Sequence, residues 1–124
     1  MSNVSRGFLT TSVIYGILGM VLGLHMAISQ NHGQMPTHAH MLVVGWVSFA
    51  LFGLFYHQFD KNIPQIFAKV HFWLAQTSFA TLIVALYILY SGNEAGDPIA
   101  AIGSIGYAFS FVLFGIIVFG ATKK

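Results

Sequence analysis

Residues 66–90 read IFAKVHFWLAQTSFATLIVALYILY, and no other class of segment explains a run of that length and composition as well as a membrane-spanning helix. A helix needs ~20 largely apolar residues to cross the hydrocarbon core of a bilayer. The apolar residues do not alternate with polar ones, and the run is too long for a strand of a membrane barrel. Working outward, three further apolar runs appear at residues 8–28, 41–56 and 99–119. Together the four use most of the chain. Of its 124 residues 56% are hydrophobic, against five Lys/Arg and three Asp/Glu, too few charges to clothe a water-soluble globule. The fold class expected is all-α: an integral membrane four-helix bundle forming a single domain over residues 1–124.

Pro36, Pro64 and Pro98 each stand just before or at the start of a run. A missing N–H and a fixed φ suit a helix's first turn, so the prolines mark the starts of helices two, three and four. The basic residues set orientation, because Lys and Arg collect in short cytoplasmic loops. Arg6, Lys61, Lys69, Lys123 and Lys124 all fall on one side, whereas loops 29–37 and 91–97 hold no Lys or Arg and carry Glu94 and Asp97. Both termini are therefore expected in the cytoplasm, with the chain multi-pass in the inner, cytoplasmic membrane of a cell. The net charge of +2 is a topology signal and not a nucleic-acid patch, since the Lys/Arg residues form no cluster. Ala27-Ile28-Ser29 loosely matches a signal-cleavage site, but the apolar stretch before it is longer than a usual signal core, so helix one is expected to be retained.

Six histidines stand out in so apolar a chain, because ionisable residues inside spans are costly and mark sites. With a rise of ~1.5 Å per residue, His25 near the end of helix one and His40 near the start of helix two both lie roughly 10 Å outward of the midplane. They are at the right height to face one another. His38 and His40 are two residues apart, so at ~100° per residue they point to nearly opposite sides of helix two and do not suit a single metal. Gly45, seven residues after His38, leaves room for a flat ring near the backbone, with Phe49, Phe52 and Tyr56 below it as apolar walls or as ordinary packing. His32 falls in the outer loop. His57 and His71 flank the basic turn, as interfacial anchors or as a second, inner site. With no cysteine, covalent haem, iron–sulfur ligation and disulfides are excluded, and any porphyrin must be held noncovalently.

His38-Ala39-His40, Gly45-Trp46-Val47, Gly53 and Tyr56 together spell H-x-H-x-x-x-x-G-W-V-x-x-x-x-x-G-x-x-Y. This helix resembles the haem-ligating helix of haem-copper oxidase catalytic subunits, in particular those of the C-family, the cbb-type cytochrome oxidases. The resemblance implies that His38 ligates a high-spin haem and His40 a low-spin haem, on a helix that enters from the outer side. It spans one helix of the four. The three copper-ligand histidines and the catalytic tyrosine that other helices bring in that family have no identified counterpart here. Oxygen reduction by this chain alone is not expected.

The resulting expectation is a b-type haem held noncovalently near the outer surface, its iron ligated by His25 and His40, and used in electron transfer. His38 would then serve a second haem, a subunit interface or copper. Copper is the rival cofactor, because Met20, Met26, Met35 and Met41 share the stretch with His25, His32, His38 and His40, and thioether with imidazole suits Cu(I). Other readings are a haem- or copper-handling chaperone or sensor, and an accessory subunit without metal. The expected partners are membrane lipid, a redox partner that the sequence does not reveal, and a second copy of the chain. Gly19 and Gly23, with Gly16 nearby, permit a close helix contact that is either internal packing or a homodimer seam.

Overall fold

The computed structural model describes residues 1–123. Four helices account for nearly all of them: α1 (Asn3–Ser29), α2 (Met35–Asn62), α3 (Gln65–Tyr90) and α4 (Gly96–Ala121). Each is long and apolar enough to cross a membrane. The prolines stand where their chemistry suits them. Pro36 lies in the first turn of α2, Pro64 caps α3, and Pro98 falls in the first turn of α4. The α2 helix starts six residues ahead of the apolar run that announced it, and so carries His38 and His40 on regular helical backbone.

Short turns make neighbouring helices antiparallel. One end of the bundle bears Glu94 and Asp97, the other Arg6, Lys61, Lys69 and Lys123. At the acidic end Gln30 adopts a left-handed conformation, φ 57°, to stop α1. The Gln34 amide then donates to the Tyr87 carbonyl (3.1 Å) and the Ser91 hydroxyl (3.0 Å), while the buried Thr37 hydroxyl donates to the Gln34 amide oxygen at 2.7 Å. These bonds tie the start of α2, and with it the histidine pair, to the end of α3.

Helix packing relies on missing side chains. The α1–α2 seam places Gly16 against Trp46, Gly19 against Leu42 and Met41, and Gly23 against His38. Gly19 and Gly23 are thus engaged by α2 of the same chain, which answers the choice between internal packing and a homodimer seam in favour of internal packing. On α4 a Cβ at Gly103 would come within 2.8 Å of the Leu82 amide nitrogen, so glycine is what lets α3 and α4 lie so close.

The centre is aromatic. Phe8 of α1 touches Phe49, Phe52, Tyr56 and Phe72 at centroid separations of 4.9–5.9 Å, largely edge to face. Phe49, Phe52 and Tyr56, read in the sequence as walls for a flat ring or as packing, are packing: all are buried against the chain's own rings. The notch at Gly45 is filled in the same way, by Tyr15 and Phe79.

Between Met41 and Val47 the α2 backbone widens into π-helical turns. The Ser48 hydroxyl donates to the Val43 carbonyl at 3.1 Å, and the Ser48 amide bonds the same carbonyl, which holds the wide register closed. Wider turns change the angle between residues above and below them. The stretch therefore sets how the His38/His40 pair is turned relative to the aromatic face that begins at Phe49.

Candidate functional site

The three histidines singled out as ligands all lie toward the acidic end, but the structure does not bring them into one cluster. His38, half-buried, places Nδ1 2.7 Å from the Gly19 carbonyl of α1. A carbonyl can only accept, so Nδ1 is the donor in this contact. This contact exists because Gly23 has no side chain: a Cβ there would sit 2.7 Å from His38 Cε1.

His40 reaches the same state by a local route. Its Nδ1 lies 2.7 Å from the carbonyl of Pro36, one turn back in the same helix. Both imidazoles of the H-x-H pair thus have Nδ1 turned to a backbone carbonyl, the arrangement in which Nε2 is the nitrogen available to a metal. Metal-binding histidines are characteristically fixed in this way, the non-ligating N–H being donated to a carbonyl or carboxylate.

His25 is exposed and lines a groove of about 330 Å³ with Leu18, Leu22, Met41 and Tyr87. That groove reaches the residue after His40, without His40 itself in its wall. His38 faces another direction, along the α1–α2 seam. The same seam opens into an apolar groove of about 550 Å³ lined by Gly16, Met20, Leu24, Leu42, Val43 and Trp46 among others. His32 is exposed in the turn before α2, and His57 is exposed near the basic end. Among the described residues, no three His, Asp or Glu side chains come together as a metal cluster.

The sequence reading missed one constellation. His71, expected as an anchor at the basic shoulder or part of an inner site, is fully buried, with Nδ1 2.7 Å from the Tyr56 hydroxyl. The anchoring reading is corrected accordingly. Phe8, Phe52 and Phe114 surround the ring at 4.8–5.2 Å, and Nε2 has no hydrogen-bond partner. The signal was present in helical spacing: His71 shares a face with Ala75, Ser78, Phe79 and Leu82, all buried.

Comparison with known proteins adds two relatives. Over 88% of its length the chain is 26% identical to a protein of Streptomyces avermitilis named as cytochrome c oxidase subunit 1-beta. Over 66% of its length it is 28% identical to a protein of Bradyrhizobium diazoefficiens named as cytochrome c oxidase subunit 1. The chain has remote, partial similarity to cytochrome c oxidase subunit 1. It spans 22% of the first relative's length and 13% of the second's. The similarity is to subunit 1 proteins at large, and the narrower C-family assignment is not part of it. No family model matches the chain, and no solved structure matches it.

Proposed function

We propose that this chain is a membrane-spanning b-type haem protein of electron transfer, with imidazoles at the acidic end of the bundle as its iron ligands. The observation that carries the reading is the shared arrangement of His38 and His40, each with Nδ1 2.7 Å from a backbone carbonyl, the contact characteristic of histidines that bind metal through Nε2. The donor set fits a haem: imidazoles, no cysteine for covalent attachment, and apolar grooves on both sides of α1. When bound, haem b would supply a one-electron iron centre.

The chain's own part is to hold and orient. His40 on α2 and His25 on α1 are the residues that would hold the group, although the groove that His25 lines does not include His40. His38 is the ligand for a haem or partner seated along the α1–α2 seam. With the basic end in the cytoplasm, the histidines lie toward the opposite face, in reach of a redox partner there.

A copper reading has one specific support, the imidazole of His25 and the thioether of Met41 in one groove. Metal analysis separates the two.

Substitution tests the ligand assignment. His40→Ala protein should insert normally yet lose haem or change from a low-spin to a high-spin spectrum, and His25→Ala should do the same. His32→Ala should retain both haem content and spectrum. Full haem content with an unaltered spectrum in His40→Ala would overturn the His40 assignment.

A further inference from the structure

The basic end of the bundle carries a second groove, unrelated to the histidines. It measures about 280 Å³ and is walled by Pro64 and Phe67 at the start of α3 and by Leu113, Ile116 and Gly120 on α4. Its rim is polar. The Asn62 amide donates to the Ala121 carbonyl at 3.2 Å, tying the α2–α3 turn to the end of α4. Exposed lysines stand on either side of that tie in the chain, Lys61 next to Asn62 and Lys123 two residues after Ala121. The nearby acid, Asp60, accepts from the Gln65 amide at 3.3 Å.

We propose that this groove binds one anionic phospholipid, its acyl chain between Phe67 and α4 and its phosphate against Lys61 and Lys123. An apolar trough whose wall residues Asn62 and Ala121 are one and two residues from exposed lysines complements an amphiphile with a negative head. A second copy fits poorly. In a shared membrane it would present the same basic end and bring like charges together.

Glycine geometry supplies the test. A Cβ on Gly120 meets nothing within 4 Å, so a large side chain there enters the groove without disturbing the fold. Gly115 is equally open and is not part of the groove wall, which makes it the control. Delipidated full-length protein is returned to phosphatidylglycerol or to phosphatidylcholine of the same acyl composition, and retained lipid is counted by native mass spectrometry. Wild-type protein should keep one phosphatidylglycerol with about thirtyfold preference, about fivefold for each lysine. The Lys61→Gln/Lys123→Gln variant should lose the preference while still holding lipid. Gly120→Phe should release both lipids, and Gly115→Phe neither. Equal retention of the two lipids by wild-type protein, or a lipid retained by Gly120→Phe, would overturn the proposal.

Discussion

Tyr56 and His71 show what a single hydrogen bond does when no water competes for it. The phenol and the imidazole join α2 to α3 at 2.7 Å inside a cage of phenylalanine rings. Tyr56→Phe leaves a buried imidazole nitrogen without a partner, and unfolding in mixed micelles should show a loss of about 1–2 kcal/mol. Tyr56→Phe/His71→Leu should recover part of it, because removing both polar partners removes the unmet demand. At this scale the sequence was uneven. The H-x-H pair was legible as a candidate because histidines in an apolar chain are costly, yet the carbonyls that their Nδ1 atoms meet were not, since one belongs to a glycine 19 residues away. His71 was misplaced because its nearness to Lys69 outweighed the period it shares with Ala75 and Ser78.

At the scale of elements, hydropathy alone marked four helices, and prolines marked three of their starts. It could not show the π-helical stretch from Met41 to Val47, because hydropathy carries no signal for the backbone's hydrogen-bond register. Nor could it choose a partner for the Gly19/Gly23 face: a small-residue face fits a neighbour in the same chain as well as one in another. The seam makes its own prediction. Gly23→Leu forces a side chain into the His38 ring, and overpacking of this kind costs about 1–3 kcal/mol. The variant should unfold more readily than wild type and, under the haem proposal, lose the spectral contribution of His38. Gly115→Leu, where an added Cβ meets nothing within 4 Å, should match wild type on both measurements.

For the whole molecule, charge asymmetry and function remain to be tried together. Cysteines placed at Asn31 and Asn93, in turns of the acidic end, should react with an impermeant reagent added outside the cell. One placed at Asn62, in the turn of the basic end, should stay unlabelled until the membrane is opened, and the reverse pattern would invert the orientation. A bundle of this size resembles a fragment of cytochrome c oxidase subunit 1 in sequence while spanning 22% or less of the relatives' lengths. Its activity must therefore be read from its own residues. The most direct measurement is a reduced-minus-oxidised difference spectrum, with iron and copper analysis, of the full chain purified in mild detergent from haem-replete cells. A low-spin b-type spectrum with iron in stoichiometric amount is the expected result, and protein that carries neither haem nor iron would contradict it.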